Sequence, residues 1–288
     1  MKVRKAVIPA AGVGSRMLPA TKSIPKEMLP LVDKPVIQYI VEEAVSSGIE
    51  DILIITNRGK SAIEDYFDYT PELEDSLSRA NKSAELEAVK HTAEMANIHF
   101  IRQKVTKGFG HAVLCAKSFV GDEPFAVLSG DDVIMSDIPV IKQLINAAEK
   151  YDCSAVGAQE VSLQAISGYC SLKIAELEDR IYKVEDVIEK PKPEEVFSQF
   201  AILGRYVLTS DIFRILENTP PGHANEIQLT DGLRTLSKQQ SMVAVDFIGK
   251  RYDNGNPQGF IEATIDFGLK NPKTAAWLSE FLADKAKQ

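Results

Sequence analysis

The feature that most constrains the fold is an alternation between short apolar runs and helix-like stretches in the first part of the chain. The strand-like runs are Lys5–Pro9, Asp51–Thr56, Ile98–Arg102, Phe125–Leu128 and Ser154–Gln159. Between the first two, the stretch from Ile37 to Ser47 carries its apolar residues at helical spacing. Such alternation predicts an α/β fold with a Rossmann-like, mixed, mainly parallel central sheet flanked by helices. Ligands then bind beyond the carboxyl ends of the strands.

A long loop, Pro9–Pro30, follows the first strand and carries residue types that hold phosphates. Backbone amides can approach an anion closely at its four small residues, Ala10, Ala11, Gly12 and Gly14. Arg16 adds a planar fork for phosphate oxygens, and Lys26 adds a compact positive charge. The loop therefore predicts a polyphosphate site, with a nucleoside triphosphate as the expected ligand.

Two familiar nucleotide-binding loops do not fit this segment. A dinucleotide-binding fingerprint needs a third glycine where the chain has Met17, and a P-loop needs a Gly-Lys-Ser/Thr sequence that is missing here. The missing glycine counts against a dinucleotide-dependent oxidoreductase, which stays open as an alternative. A lone Gly-x-Gly after a strand is also common in proteins that bind no nucleotide.

The sequence Lys26-Glu27-Met28-Leu29-Pro30, followed by Asp33-Lys34-Pro35, resembles the signature of the sugar-nucleotide pyrophosphorylases. The motif is most similar to that of the bacterial UTP–glucose-1-phosphate uridylyltransferases, or UDP-glucose pyrophosphorylases, and the similarity runs through almost the whole chain. It implies the nucleotide-diphospho-sugar transferase fold. It also implies transfer of uridylyl from UTP to glucose 1-phosphate, giving UDP-glucose and pyrophosphate with the help of Mg²⁺.

The same resemblance implies how the chain is divided. Residues 1–288 would form a single nucleotidyltransferase domain, in which residues from about 1 to 135 bind the nucleotide and later residues bind the sugar. The C-terminal helices, from about 257 to 288, would serve packing or oligomerisation. Relatives are commonly dimers or tetramers, and the apolar residues from Trp277 to Leu282 are a candidate subunit contact.

Further site residues follow from the resemblance. Glu27 would belong to the nucleotide site, where Gln103 and Gly108 would read the uracil edge. A Gln side chain offers one acceptor and two donors, and a glycine lets the backbone reach the base. The expected sugar-binding residues are Tyr169, Cys170, Glu189, Lys190, Gly204 and Glu226. Glu189 would bind glucose hydroxyls and Lys190 its phosphate, while Arg16, Lys26 and Lys190 would neutralise charge at the reacting phosphates.

Two adjacent carboxylates, Asp131 and Asp132, follow the strand Phe125–Leu128. Successive side chains near a strand point in opposite directions, so only one should face the site, and we select Asp131. Magnesium sites use one or two carboxylates plus phosphates and water. The resemblance supplies Asp253 as the second ligand. Each residue alone also fits a structural role, Asp131 as a helix cap and Asp253 as a turn residue.

Two positions depart from the family pattern. Cys170 stands where a glycine is usual, so its side chain could narrow the hexose pocket, although Gly168 could serve if the loop is offset. Asn225 also replaces a common glycine, and Asn tolerates a left-handed backbone. These departures keep a second alternative open, in which the chain is a catalytically weak regulatory paralogue that binds a nucleotide sugar.

Composition limits the partners. A formal net charge of -8 argues against a nucleic-acid surface, which would normally carry a basic patch. We find no apolar stretch of the length of a membrane span and no apolar signal-peptide core at the N-terminus. The three cysteines, Cys115, Cys153 and Cys170, are widely spaced without a CxxC pair, which favours reduced thiols and a cytoplasmic protein.

Overall fold

The computed structural model describes residues 1–287, which form thirteen strands and eleven α-helices. The strands are β1 (Lys5–Pro9), β2 (Pro30–Leu31), β3 (Lys34–Pro35), β4 (Asp51–Thr56), β5 (Asn97–Arg102), β6 (Phe125–Leu128), β7 (Asp132–Met135), β8 (Ser154–Glu160), β9 (Cys170–Glu178), β10 (Ile181–Glu189), β11 (Phe200–Leu208), β12 (Met242–Asp246) and β13 (Lys250–Asp253). The helices are α1 (Val36–Ser46), α2 (Ser61–Tyr66), α3 (Pro71–Arg79), α4 (Ser83–Glu94), α5 (Phe109–Leu114), α6 (Lys117–Val120), α7 (Val140–Tyr151), α8 (Asp211–Glu217), α9 (Leu229–Gln239), α10 (Pro257–Lys270) and α11 (Ala275–Lys285).

Nine strands form one sheet in the order β5-β4-β1-β6-β11-β8-β12-β10-β9. Strands β10 and β11 run antiparallel to their neighbours, and the other seven point in a common direction. The prediction of a mixed, mainly parallel sheet is confirmed. The carboxyl ends of β1, β4, β5 and β6 consequently meet at one edge of the sheet, where ligands bind in open α/β folds.

Both faces of the sheet are covered by helices because its central strands are apolar on both sides. In β1, Ala6 and Ile8 belong to one buried cluster and Val7 belongs to the other. Helices α1 and α7 contribute apolar residues to the first cluster, whereas α5, α8 and α9 contribute to the second. This three-layer arrangement explains why the parallel strands read as continuous apolar runs in the sequence.

The first half of the chain follows the predicted pattern closely. The strand predictions agree with β1, β4, β5, β6 and β8 to within a residue at each end, and the predicted helix at Ile37–Ser47 is α1. The segment from 71 to 96 is charged and rich in Ala and Leu, which predicts an exposed helical insertion, and it forms the mostly exposed helices α3 and α4. The segment after Pro220-Pro221-Gly222 predicts a helix that begins at Glu226, but α9 begins at Leu229.

A separate two-stranded ribbon of β7 and β13 projects near the carboxyl edge of the main sheet. Its antiparallel register places Asp132 opposite Asp253, although 121 positions separate them in the numbering of the chain. At the far end of the chain, α11 exposes Trp277 and Phe281, whose rings stack with centroids 5.4 Å apart. No helix among residues 1–287 has the length and apolar character needed to cross a membrane.

One buried ion pair joins the sheet to the helix layer. Arg205 of β11 is fully buried and pairs with Glu43 of α1, with 2.8 Å between Nη2 and Oε2. The guanidinium also donates to the backbone oxygens of Asp132 and Gly204, so it holds the loop after β6 against β11. Glu43 additionally accepts from the backbone of Ile141 in α7.

We predict that Arg205→Met lowers the free energy of unfolding by about 3–5 kcal/mol, because it leaves the Glu43 carboxylate buried without its partner. Urea denaturation of the variant and the parent chain measures the difference. Arg79→Met is the matched control, since Arg79 pairs with Asp75 on the exposed surface of α3, where such a pair contributes less than about 1 kcal/mol. Equally small losses in both variants would contradict a stabilising role for the buried pair.

Candidate active site

Two cavities lie side by side at the carboxyl edge of the sheet. The first, of about 220 Å³, is lined by the β1 loop and the loop after β5, including Ala11, Gly12, Lys26, Glu27, Gln103 and Gly108. The second, of about 190 Å³, is lined by residues of β9, β10, β11 and the β7–β13 ribbon, including Asp132, Tyr169, Cys170, Glu189, Gly204 and Arg251. Phe109 lines both cavities, and the consecutive residues Asp131 and Asp132 face one cavity each. The two side chains diverge, so each lines a different cavity, whereas the expectation was that only one of them would face the site.

The two cations of the first loop are paired with the two predicted metal ligands. Lys26 Nζ contacts Asp131 Oδ2, and Arg16 Nη1 lies 3.1 Å from Asp253 Oδ2. Burial alone would lower the pKa of Lys26, but the Asp131 carboxylate raises it above the ordinary value. Burial would likewise raise the pKa of Asp131, but Lys26 and then Arg16 hold it below its ordinary value. Both groups are therefore charged at neutral pH.

Gly255 shows whether the space between the Asp131 and Asp253 carboxylates suits a metal ion. A Cβ atom added there would lie 2.6 Å from Asp131 Oδ2, 2.9 Å from Asp253 Oδ1 and 2.7 Å from Arg16 Nη2. The absence of a side chain at Gly255 thus leaves the two carboxylates facing a common space. No group of three or more His, Cys, Asp or Glu residues among residues 1–287 is arranged to hold a metal. The donor set fits a Mg²⁺ ion that takes its other ligands from phosphates and water.

Glu27 has a partner that the sequence did not indicate. Both of its carboxylate oxygens lie 2.8 Å from Lys60 Nζ, and the same ammonium donates to the Ala10 carbonyl at 2.6 Å. Burial raises the pKa of Glu27 and lowers the pKa of Lys60, so each charge depends on the other. This buried pair ties the Lys26 segment to the end of β1 and so fixes the wall of the first cavity.

Gln103 and Gly108 lie together at the other side of the first cavity. The buried Gln103 amide donates to the Gly108 carbonyl at 3.2 Å and lies 2.8 Å from His111 Nδ1, which accepts. Burial and the nearby Lys107 lower the pKa of His111, in keeping with a neutral imidazole. Gly108 has φ of 97°, and a Cβ there would stand 2.6 Å from Cβ of Glu226. Glu226, assigned to the sugar by resemblance, lines the first cavity, so its sugar contact stays a prediction.

Two carboxylates in the wall of the second cavity are held in place by neighbouring side chains. Glu189 Oε2 accepts from Thr230 Oγ1 at 2.7 Å, and Asp132 Oδ1 lies 2.6 Å from Arg251 Nη2. Gly204 has φ of 70° and packs its Cα against the Asp132 carboxylate, so a larger residue would collide with it. Carboxylates held in this way leave acceptor positions free for the hydroxyl groups of a ligand.

Cys170, the departure from the family pattern, is buried in the wall of the second cavity. Its Sγ accepts from the backbone of Ile202 at 3.2 Å and so joins β9 to β11. Burial raises the pKa of the thiol to about 12, which keeps it protonated. The Asn225 backbone is left-handed, with φ of 59°, as expected for a residue that replaces glycine.

Some predicted residues lie beside the cavities rather than in their walls. Lys190 is exposed, has φ of 44° and donates its backbone N–H to the Tyr169 carbonyl at 2.8 Å. Gly14, with φ of 70°, begins a short turn, and its carbonyl accepts from Thr21 Oγ1. These residues stay predictions as ligand contacts.

Sequence reasoning missed several residues of the site: Lys60, Phe109, Asp132, Tyr206, Thr230 and Arg251. Three of them lie close in sequence to predicted site residues: Asp132 follows Asp131, Thr230 lies four positions after Glu226, and Arg251 lies two positions before Asp253. Strand periodicity would have placed Arg251 and Asp253 on one face of the ribbon. No local signal distinguishes Lys60, because its role depends on Glu27.

Comparisons with known proteins agree with this geometry. The sequence pattern of the nucleotidyl transferase family matches residues 5–268. UTP–glucose-1-phosphate uridylyltransferase YngB of Bacillus subtilis (strain 168) is 50% identical over 287 residues, covering 100% of this chain and 97% of that protein. A UDP-glucose pyrophosphorylase solved in complex with UDP-glucose has a TM-score of 0.86 and 44% identity, covering 94% of this chain and 100% of the other.

A UTP-bound enzyme of the same kind from Acinetobacter baumannii has a TM-score of 0.91 at 35% identity, covering 98% of this chain and 99% of the other. Similarity of this extent reaches through both cavities and the sheet that carries them. The chain therefore belongs to the nucleotidyl transferase family, within the group of UTP–glucose-1-phosphate uridylyltransferases.

Proposed function

We propose that the protein transfers the uridylyl group of UTP to glucose 1-phosphate and releases pyrophosphate and UDP-glucose. The observation that carries the proposal is the pair of adjoining cavities, one walled by a cationic loop and the other by fixed carboxylates. A uridylyltransferase needs both, since it must hold a triphosphate and a sugar phosphate with a phosphate oxygen of the sugar phosphate in line with the α-phosphorus of the triphosphate. Relatives about 50% identical over the full chain carry the same activity in their names.

In the reaction, a phosphate oxygen of glucose 1-phosphate attacks the α-phosphorus of UTP in line, and the bond to pyrophosphate breaks. The nucleophile is already an anion, so no side chain has to remove a proton from it. No histidine is among the residues that line the two cavities in the described part of the chain. Catalysis then consists of positioning and charge neutralisation.

The loop cations have to change partners when phosphates enter. Lys26 leaves Asp131 for the reacting phosphates, and Arg16 leaves Asp253 for the phosphates that depart as pyrophosphate. Both carboxylates are then available to hold Mg²⁺, which supplies charge neutralisation at the phosphates when it is bound. Gln103 and the Gly108 backbone orient the uracil ring at the far wall of the first cavity.

On the sugar side, Glu189 accepts from glucose hydroxyls and Lys190 binds the sugar phosphate. Tyr169, Cys170 and Gly204 shape the wall around the hexose. This assignment divides the chain as the resemblance implied, with the nucleotide held by residues up to about 135 and the sugar by later ones. We further propose that residues 257–288 serve packing and a dimer or tetramer contact. The three free cysteines support a cytoplasmic location.

An assay of pyrophosphate release tests the function. The protein is incubated with UTP or dTTP and with glucose 1-phosphate or galactose 1-phosphate, in the presence of Mg²⁺. We expect the fastest release from UTP with glucose 1-phosphate. If UDP-glucose binds but no combination releases pyrophosphate, the chain is a regulatory paralogue and the proposed activity is wrong.

We predict opposite effects of Lys26→Met on metal binding and on turnover. Removing the ammonium frees Asp131, so Mn²⁺ titrated without nucleotide, and followed by electron paramagnetic resonance, should bind more tightly. Turnover should fall by about 10²–10³-fold, as for the loss of one preorganised donor. Lys22→Met, an exposed lysine of the same loop, is the control. Weaker Mn²⁺ binding by the Lys26 variant would contradict the exchange of partners.

Lys190→Ala should raise KM for glucose 1-phosphate much more than it weakens UTP binding, because its charge serves the sugar phosphate alone. Steady-state kinetics and calorimetric titration with UTP separate the two effects. Lys192→Ala removes an exposed charge two residues away and should change neither. Equal losses for both substrates would argue against this assignment of Lys190.

Gly108→Ala should weaken UTP binding by roughly tenfold or more, because the added Cβ collides with Glu226 and the Ile227 carbonyl, and overpacking of this kind costs about 1–3 kcal/mol. Gly59→Ala is the matched control. Gly59 has φ of 92° but open space at its Cβ position, so its variant carries backbone strain without a collision. An equal fall in UTP affinity in both variants would remove Gly108 from the nucleotide site.

A further inference from the structure

Arg251 of β13 lines the second cavity and belongs to neither predicted set of site residues. Its side chain is 14% exposed, and its Nη2 atom lies 2.6 Å from Asp132 Oδ1. Its Nη1 atom donates to the Tyr169 hydroxyl at 3.1 Å, and the guanidinium carbon stands 5.4 Å from the centre of the same ring. One guanidinium therefore holds a carboxylate and an aromatic ring at once.

Both partners of Arg251 line the second cavity. Asp132 is fixed on its other side by contact with Gly204, and the Tyr169 backbone is fixed by the N–H of Lys190. The Tyr169 ring packs against the first buried apolar cluster, and among the described residues Arg251 supplies the hydrogen bond to its hydroxyl and a cation–π contact. The orientation of this ring in the cavity wall thus depends in part on the guanidinium.

The environment of Arg251 is not the best one for stability alone. Its Nε atom is buried and has no hydrogen-bond partner in the described part of the chain. A buried donor without a partner is costly, and native structures that keep one commonly do so for function. Replacing a buried ion pair with apolar residues of similar volume is often neutral or stabilising, so the pair with Asp132 is not explained by packing.

Arg251 also stands two residues before Asp253 on the same strand. Side chains two apart on a strand share a face, so the ribbon carries one residue toward the predicted metal site and one toward the second cavity. A change at Arg251 would therefore affect the second cavity first, while Asp253 keeps its own partner, Arg16.

We propose that Arg251 is a positioning residue for sugar recognition, which holds the Tyr169 ring and the Asp132 carboxylate in the wall of the second cavity. The inference rests on the proposed function, because it takes the second cavity to be the sugar site. It assigns to Arg251 a share of the affinity for the hexose and none of the affinity for the nucleotide. UDP and UDP-glucose, which differ by the glucosyl group and by the ionisable oxygen that it occupies, separate these two contributions.

The test is calorimetric titration of UDP and UDP-glucose into the parent chain, Arg251→Met, Arg251→Lys and Tyr169→Phe. For Arg251→Met we expect UDP-glucose to bind about tenfold more weakly, which corresponds to the loss of one to two hydrogen bonds. The affinity for UDP should stay unchanged. Arg251→Lys should recover part of the loss, since an ammonium can pair with Asp132 but cannot also present a fork to Tyr169.

Steady-state kinetics supply a second readout. Arg251→Met should raise KM for glucose 1-phosphate while KM for UTP stays unchanged, and Tyr169→Phe should show a smaller effect of the same kind because it removes only the hydroxyl. Lys250→Met is the control on the same strand, since Lys250 is 58% exposed and pairs with Asp266. Tyr169→Phe makes the smaller change and keeps the test valid if Arg251→Met does not fold.

Two results would overturn the inference. Equal weakening of UDP and UDP-glucose would mean that Arg251 supports the fold as a whole, and unchanged binding of both would mean that the wall does not depend on it. Failure of the proposed function would be seen in a different measurement, since the parent chain itself would then release no pyrophosphate from UTP and glucose 1-phosphate.

Discussion

The reaction site depends on a balance between fixed charges of opposite sign at one edge of the sheet. Lys26 and Arg16 would be costly to bury without partners, and Asp131 and Asp253 supply those partners when no phosphate is present. In the proposed reaction, a triphosphate that enters with a divalent cation would exchange both sets of partners together, so that the number of ion pairs is kept. The proposed exchange would account for the binding of a strongly anionic substrate by a chain of net charge -8.

The sequence indicated more of the strands in the first half of the sheet than in the second half, for a physical reason. Strands β1, β4 and β6 are buried on both faces, so they appear as short apolar runs. Strand β9 at the sheet edge is exposed or half-buried from Lys173 onward and carries charged residues such as Lys173, which pairs with Glu185 of β10. Its hairpin with β10 turns at Asp179-Arg180 without glycine, although Arg180 has φ of 60°. Neither a turn signal nor a continuous apolar run marks this hairpin.

Some residues of the candidate site can be identified from a short segment of sequence, whereas others depend on contacts between distant positions. The phosphate loop and Asp131 could be proposed from the sequence because each lies in a short segment that carries the relevant residue types. The pair Glu27–Lys60 joins residues 33 positions apart, and the pair Asp132–Arg251 joins residues 119 positions apart. A single sequence does not say which acid meets which base over such distances. The fold supplies that information by bringing the ends of several strands to one edge.

The consecutive residues Asp131 and Asp132 show how one strand end serves two chemical purposes. Burial would raise both pKa values, but Lys26 holds that of Asp131 below its ordinary value, whereas Arg251 does not fully offset the burial of Asp132, whose pKa stays raised. Carboxylates whose environments move their pKa values apart are suited to different roles. The lowered pKa favours the anionic form of Asp131, which suits its proposed role toward a cation, while the charge on Asp132 depends on Arg251. Since the nucleophile needs no deprotonation, neither carboxylate has to act as a base, and both can be used to fix positions.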